Sequence, residues 1–598
     1  LKPNPRDNQK NILSRSKTIS QIVAIAIPWL ILFILPVVYF HSEINALLLL
    51  EIFAAVASLT LIFSRQKTEV SRSSLAIYVS MLTLLFLAIR ATWLSCDVST
   101  SWPVLIKYIA WIQLFFTISL VARKIEFQES LMNASIFTGI LHGLLAIQEY
   151  IEAPPIPATW IDPALKEHVR TRCAGMFTDP NVFGAFLAVL FLFITVALLK
   201  AENFKKTLIA GMALFLTGIA ELTTLSRGSW IALALGLSFF LLLSWKGKRE
   251  SGQDMRPLLL ILAVLAVIAM AGPFKYRIFS MVETKDMTIA QRSLILKGFK
   301  EGFAKIPFSG FGPHTFSQIY PRFRAVGGDY PLYAHNEILH SLVETGHLSA
   351  LLLLFLFLLI LWQALRKAPD SFQVAGIAAM LCLFVHNLSG FSSRILPTAL
   401  LIIFSAVLSR PEDPGFKLHP FLKKVLFGST VFAAIMTICL GSYSFYINRI
   451  MQQAYFELQA GDFNQALALF SQVEKLDPGN SVASSRKSDI FLAQKDFAKA
   501  RTALIKALSA NPGEALYWLK LARLQPPDQA EESYLKAIEL DPASEMFRLE
   551  FARFLVGQER RQQALQQLEA ALASSPGFHQ VYRNYLAIEE LKKELNAH

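Results

Sequence analysis

Cysteine is scarce and charge is thin in this 598-residue chain: four Cys, and 17% charged residues against 54% hydrophobic ones. Cys382 and Cys439 fall inside apolar segments, while Cys96 and Cys173 lie in separate loops. No spacing suggests a metal knuckle, a disulfide framework or redox chemistry. So little charge argues against a string of soluble domains and for a polytopic membrane protein followed by one smaller soluble domain. The formal net charge of +13 does not mark a nucleic-acid partner. Residues after Ile450 are close to balanced, and the basic excess lies around the apolar segments, as loop charge does in membrane proteins. The chain begins with Leu, and its first apolar stretch lacks a small-residue cleavage site, so that stretch is expected to be a retained span.

Apolar segments of roughly 16 to 24 residues, long enough to cross a hydrocarbon core as helices, begin near Ser20, Ile44, Ser74, Trp102, Leu131, Val182, Thr207, Trp230, Pro257, His347, Phe372, Leu396 and Phe421. An N-terminus in the cytoplasm puts the basic clusters Lys2 to Lys17, Arg65 to Arg72, Arg123–Lys124, Lys200 to Lys206, Lys246 to Arg256, Arg366–Lys367 and Lys417 to Lys424 inside. Every even-numbered connection then obeys the positive-inside rule. About thirteen spans place the loop 273–346 and the C-terminal tail on the opposite face, the periplasm of a bacterium. The expected organisation is a cytoplasmic tail 1–19, a transmembrane domain 20–446 that includes the large loop 273–346, and a periplasmic repeat domain 450–598. The fold class is all-α, a helical bundle with a loop domain and an α-solenoid.

The solenoid is read from Asp477-Pro478, Asn511-Pro512, Asp541-Pro542 and Ser575-Pro576, whose prolines recur at intervals of 34, 30 and 34 residues. This is the tetratricopeptide period. Ala466, Phe470, Ala500 and Ala507 supply the small and aromatic packing positions of helix pairs, and the third unit is shortened around Gln525-Pro526-Pro527. Each pair buries its apolar face only by stacking on the next. The concave face of such an array docks a protein or serves folding and self-association, and no catalytic constellation lies in it.

Chemistry is expected in the membrane part, where the outer face carries arginines that break the charge rule: Arg170, Arg172, Arg227, Arg277, Arg292, Arg322, Arg324 and Arg394. Arg227, in Ser226-Arg227-Gly228, sits between two spans with almost no loop to solvate it. An ionisable group at that depth faces a cavity or a partner, or snorkels to the headgroups. In Arg172 to Asn181, Asp179 and Pro180 read as a helix cap and first turn, which leaves Arg172 unexplained. Gln291-Arg292 opens an amphipathic helix of Leu294, Ile295, Phe299 and Phe303, compatible with a helix on a membrane surface; it ends before Pro307 and Gly310-Phe311-Gly312-Pro313. His335-Asn336, nine residues, then Gly346 places His335 just ahead of a helix, where a neutral imidazole can take a proton from a hydroxyl. A purely structural His is the competing reading. His340, Glu344 and His347 share one helical face, but the spacing is not His-Glu-x-x-His and no fourth ligand is evident, so no metal is assigned.

These motifs resemble the O-antigen ligase and polysaccharide polymerase family of bacterial inner-membrane glycosyltransferases. The resemblance covers about Arg170 to Leu408. It rests on His335, Asn336 and Gly346, on Ser226 to Gly228, on Arg292 with Pro307, Gly310 and Gly312, and on Arg172, Gly175, Phe177, Pro180 and Asn181. Ser349 stands where the family often has Gly, Thr or Tyr. The acidic residue the family often carries further on has no counterpart in His386-Asn387-Leu388-Ser389-Gly390.

The resemblance implies a donor glycan on undecaprenyl diphosphate, an acceptor hydroxyl, and neither cofactor nor metal. Arg172, Arg227 and Arg292 are expected to bind and stabilise the diphosphate, because guanidinium forks match phosphate oxygens. His335 is expected to deprotonate the acceptor, with Arg227 sharing the catalytic role. Asn336, Asn181 and Gly346 are supporting residues. The acceptor stays open between a lipid A-core sugar, the end of another lipid-linked glycan, and a Ser or Thr of a protein recruited by the repeats; lipid A-core ligation is placed first. A transporter of an anionic lipid or solute would also want arginines in a cavity, but should show related halves with broken helices, which this sequence lacks. A repeat scaffold without catalysis would leave the His and Arg residues idle.

Overall fold

The computed structural model describes residues 18–63, 69–70, 72–157, 160, 169–247, 255–270, 272–279, 287–365, 370–410, 416–417, 419–574 and 581–597. The basic stretch 1–17, Arg65, Lys67, Lys248, Arg249, Arg366, Lys367 and the Ser575-Pro576 turn lie outside the described residues. Thirteen apolar helices stand where the sequence places spans. They are α1 (Thr18–His41), α2 (Glu43–Phe63), α3 (Arg72–Trp93), α4 (Val98–Val121), α5 (Ile125–Glu152), α6 (Pro180–Leu199), α7 (Phe204–Thr223), α8 (Arg227–Gly247), α9 (Arg256–Ala269), α14 (His347–Leu365), α15 (Ser371–Asn387), α16 (Leu396–Leu408) and α17 (Pro420–Ala460). Among the described residues nine are long and apolar enough to cross a membrane unaided, and α9, α14, α15 and α16 carry shorter apolar stretches. The large loop contributes α10 (Gly272–Phe279), α11 (Met287–Gly302), the single turn α12 (Phe316–Ile319) and α13 (Glu337–Thr345).

Helix α6 is the hub. It carries no charged side chain, nearly all its residues are buried, and it packs against α5, α7, α8, α15 and α16. A helix apolar all round has to be enclosed by protein or lipid, and its neighbours approach through small residues, as helices in bilayers do. At Gly184 an added Cβ would lie 2.4 Å from Ser229 Oγ on α8. Connections expected to share a face do meet. Arg123 pairs with Asp370 at 3.0 Å, and Glu69–Val70 forms a two-residue antiparallel ladder with Phe416–Lys417, Glu69 opposite Lys417. On the other face, loop 287–346 touches the repeats.

That loop has its own core: Ile295 and Phe299 of α11 are buried with Phe316, Ile319, Tyr320, Phe323, Leu342 and Val343. The amphipathic face of α11 thus packs into the loop rather than lying free, although Phe303 at its end is exposed. Helix α13 ends at Gly346, whose φ is +91° and whose Cβ, if present, would sit 2.2 Å from the Phe308 carbonyl oxygen. Gly310 faces it, and the Phe311 and Gly312 N–H groups donate to the carbonyls of Val343 (2.8 Å) and Glu344 (2.9 Å). The glycine-spaced turn and the Gly that closes the His motif are therefore one backbone-to-backbone contact.

The transition from membrane to repeats falls inside α17, which runs unbroken until Gly461 adopts a left-handed cap. Its Ile447, Ile450 and Ala454 are buried with Ala466, Phe470 and Val473 of α18 (Phe463–Leu476). The solenoid continues through α19 (Ser481–Ala493), α20 (Phe497–Ala510), α21 (Ala515–Ala522), α22 (Pro527–Leu540), α23 (Glu545–Gly557), α24 (Arg561–Ser574) and α25 (Val581–Ala597). The shortened unit is α21, only eight residues long, because Pro526 and Pro527 enforce a new helix start. Gly346→Ala combines a left-handed backbone with a collision against a carbonyl. It is expected to destabilise the protein by roughly 1–3 kcal/mol, read as a lower thermal midpoint in detergent, whereas Gly428→Ala, with open space around it, should leave the midpoint unchanged.

Candidate active site

Three chain segments converge on the repeat-side ends of α6, α8 and α15. Asp179 caps α6, accepting from the Asn181 (2.8 Å) and Val182 (3.0 Å) N–H groups with Pro180 in the first turn. The turn from α7 to α8 takes only three residues because Leu225 adopts φ +52°, so α8 starts at Arg227, with Ser226 Oγ accepting from the Ser229 N–H (3.4 Å). His335 also has a left-handed backbone, φ +50°, immediately before α13. Asn336 caps α13 by accepting from the Leu339 N–H (3.1 Å) and donates to the Leu388 carbonyl (3.0 Å) beyond α15.

Together they form a narrow cleft lined by Asn181, Ser226, Gly228, Arg292, His335, His386, Ser389, Gly390 and Phe391, with about 10 Å³ of free space, room for a single water. His335 lies half-buried with its ring edge-on to Phe391 at 5.1 Å. Its Nδ1 is buried and has no hydrogen-bond partner among the described residues. Burial first, then Arg292 and His340, push its pKa down to about 4, so the imidazole is neutral near pH 7 and can accept a proton.

The arginines that break the charge rule sort into distinct uses. Arg292 lines the cleft, and Arg227 is flanked by the cleft residues Ser226 and Gly228. Arg172 does not line it. Arg172 is buried and donates to the carbonyls of Thr224 (3.0 Å) and Trp160 and to Asn181 Oδ1 (3.2 Å), tying the α7–α8 turn to α6. Burial pushes its pKa down to about 9, with Arg277, Arg227 and Arg292 adding to the effect and Asp179 opposing it. Four guanidinium groups thus feel one another here. Arg277 donates to the Leu225 carbonyl (3.1 Å) and Arg170 to that of Ile151 (2.8 Å). Arg394 grips Glu337 with two bonds (2.6 and 3.0 Å) and Glu344 with a third (3.0 Å).

His340 belongs to that ion-pair group. Its Nδ1 accepts from the Ala334 N–H (3.2 Å), so Nε2 donates to Glu344 (2.9 Å). His347 instead stacks on Phe308 at 5.7 Å. Among the described residues no three His, Cys, Asp or Glu side chains are grouped to hold a metal ion. Gly346 does not line the cleft and lies instead in the loop contact described above. The sequence reading passed over His386, whose Nδ1 lies 3.1 Å from Ser392 Oγ and whose ring lines the cleft beside Gly228. The available signal was the repeated dipeptide, His335-Asn336 and His386-Asn387, each at a helix boundary.

A larger cavity, about 350 Å³, lies beyond the Tyr333 and Phe391 rings, which stack at 4.9 Å. Its walls are apolar side chains of α3, α4, α14, α15 and α16, and its polar end carries Glu43, Lys107, Glu337 and Arg394.

A membrane-embedded helical bundle with a basic cleft at one face and a tetratricopeptide-like tail is thus defined. Residues 212–354 match the O-antigen ligase family, and residues 457–524 match tetratricopeptide repeats. The chain thus carries an O-antigen ligase family region followed by a repeat region, and that family implies glycan transfer of the ligase or polymerase type. No curated protein matches the chain. Solved structures similar to it include MamA (41-end) from Desulfovibrio magneticus RS-1, 22% identical over 21% of this chain and 75% of that one, TM-score 0.20. YrrB, a TPR protein with an unusual peptide-binding site, is 20% identical over 24% and 76%, TM-score 0.21. Yeast Tom70 is 15% identical over 70% and 90%, TM-score 0.27. At such scores these likenesses carry no argument about this chain.

Glu344 is the most exacting part of the ion-pair group. Burial alone would raise its pKa, but His340 and Arg394 outweigh that and hold it at about 2. The stabilisation is therefore fully present above the unfolded value and is lost progressively as pH falls from there through about 2. Glu344→Ala removes the carboxylate partner of His340 and one of the three bonds of Arg394, and is expected to cost about 3–5 kcal/mol. Thermal unfolding should show it as a large fall in midpoint, against none for Glu202→Ala in the exposed pair with Lys206.

Proposed function

We infer that the protein transfers a glycan from undecaprenyl diphosphate to an acceptor hydroxyl at the periplasmic face of a bacterial inner membrane, and that it ligates O-antigen to lipid A-core. The N-terminus is then cytoplasmic and the repeats periplasmic. The observation that carries the reading is the neutral imidazole of His335, its Nδ1 unpartnered, sharing one cleft with Arg292 and the N-terminal end of α8. A base beside an anion site is what glycosyl transfer from a diphosphate needs. His335 takes the acceptor hydroxyl proton while that oxygen attacks the anomeric carbon, and the bond from that carbon to the diphosphate breaks. The diphosphate leaves with the electron pair, its growing charge met by Arg292, Arg227 and the helix end. Arg172 adds positive potential and holds Asn181 and the α7–α8 turn in place. One in-line displacement inverts the anomeric centre, and no metal or cofactor takes part.

A cleft with room for one water admits a sugar diphosphate only when the Phe391 segment or the His335 loop withdraws. The apolar cavity beyond Phe391 suits the isoprenoid chain of the donor or an acyl chain, because its walls are span helices.

Purified protein supplied with an undecaprenyl-diphosphate glycan, EDTA, and lipid A-core, peptide or lipid-linked glycan in parallel tests this. Transfer to lipid A-core is expected to persist in EDTA and to fall by about 10²–10⁴ in His335→Ala. Arg292→Ala should raise the donor KM as well as lower kcat. Transfer to peptide or lipid-linked glycan instead would replace the acceptor, and full turnover by His335→Ala would remove the base. Because His335 acts when neutral, kcat/KM for the free enzyme should hold down to about pH 5 and fall as pH approaches 4, the reverse of the loss expected for a required imidazolium.

A further inference from the structure

The repeat domain does not hang free on α17. The same position in three successive repeat turns, the residue before proline, reaches out of the solenoid to the membrane part. Asp477 accepts from Ser99 at the start of α4. Asn511 donates to Asp97 (3.3 Å) and Gln318 (3.1 Å), and Gln318 itself donates to Asp97 (3.2 Å). Asp541 accepts from Arg324 (3.2 Å) and the Tyr330 hydroxyl (2.6 Å), with the Arg324 and Asp541 side chains 3% and 2% exposed. Arg322 lies so close over Gly513 that a Cβ there would fall 2.5 Å from its guanidinium. A turn needed only to close a helix pair would spend these groups within the repeat.

What they hold is the strand of loop that leads to His335. Arg324 also donates to the Gly328 carbonyl (2.7 Å) and covers the Tyr330 ring at 4.1 Å, and Tyr330 stands five residues before His335. The same loop is bound by Gln291, which donates to the Gly327 carbonyl (3.3 Å) and accepts from the Asp329 N–H (3.2 Å). Gln291 is the neighbour of Arg292. Both cleft residues contributed by the loop, Arg292 and His335, therefore hang from a segment whose far side is fastened to the repeats. We propose that the repeat domain is a clamp that sets the position of the His335 loop, with Asp541 and Tyr330 as positioning residues. The cleft is then complete only when the solenoid is docked, and a protein bound to the solenoid that shifts its turns would regulate the cleft. The consequence for turnover rests on the glycan-transfer reading; the clamp itself does not.

Hydrogen exchange of the full-length protein reads the clamp without using the reaction. In Asp541→Ala, and in Tyr330→Phe, which leaves every repeat residue untouched, peptides spanning 318–336 should exchange at least tenfold faster, while the spans and α18 to α24 keep their protection. Transfer measured beside it should fall about 10–10²-fold in kcat, since a displacement near 1 Å costs that much, with Asp541→Asn, which keeps an acceptor for Tyr330, closer to wild type. Unchanged exchange over 318–336 in Tyr330→Phe would overturn the clamp, as would faster exchange throughout the solenoid in Asp541→Ala with the loop still protected. Wild-type protein inactive in transfer would overturn the reaction instead and leave exchange to decide the clamp.

Discussion

A half-buried guanidinium with two carboxylates holds the cleft face together. Arg394, in the turn between α15 and α16, binds Glu337 and Glu344 at the two ends of α13, and Glu344 takes a further bond from His340. Taking one of these charges out of water alone would cost several kcal/mol, and only the complete group repays it. Helix α13 is nine residues long, too short to stand in isolation, so its place is set by that ion pair and by the glycine contact at its end. Everything that positions His335 follows. Asn336 caps the helix, Ala334 donates to His340, and His335 between them is held in a left-handed conformation that an unconstrained His seldom adopts.

The electrostatics of the face divide the same way. The Arg394 group is locally neutralised and structural, whereas Arg172 and Arg277 donate to backbone carbonyls beside the cleft. Burial first, and Arg292 after it, keeps His335 unprotonated.

Close contacts explain the glycines of the motif set. Gly346 and Gly310 let the loop turn lie directly on the end of α13, and Gly312 would put a Cβ 2.1 Å from Ser95 Oγ. The loop is thus fastened to α13 and to the start of α4, and through Asp97, Gln318 and Arg324 to the repeats. Loop, membrane bundle and solenoid meet along one line of polar contacts. Tightly joined parts of this kind transmit displacement rather than absorb it.

The spans, the repeats and the capping of α6 by Asp179 were legible in the sequence, because each is a local pattern: apolar length, a recurring Pro, an acceptor before a first-turn Pro. His335, Arg292 and Asn181 were legible as a motif set and do meet. Arg172 reads the same in sequence as Arg292, yet it spends its guanidinium on carbonyls of Thr224 and Trp160, and nothing near it in the chain announces those partners. His386 was missed because its membership in the cleft depends on α15 packing beside α8, a contact between residues more than a hundred positions apart. Arg324 and Asp541 are likewise an unremarkable surface pair until the solenoid docks. The sequence alone determined which segments form helices and on which side of the bundle the polar loops lie, since hydrophobic period and charge balance act locally. Only the tertiary structure decided which arginines face an open cleft and which are consumed in holding it, because a guanidinium's role is set by the acceptors that folding brings within 3 Å of it.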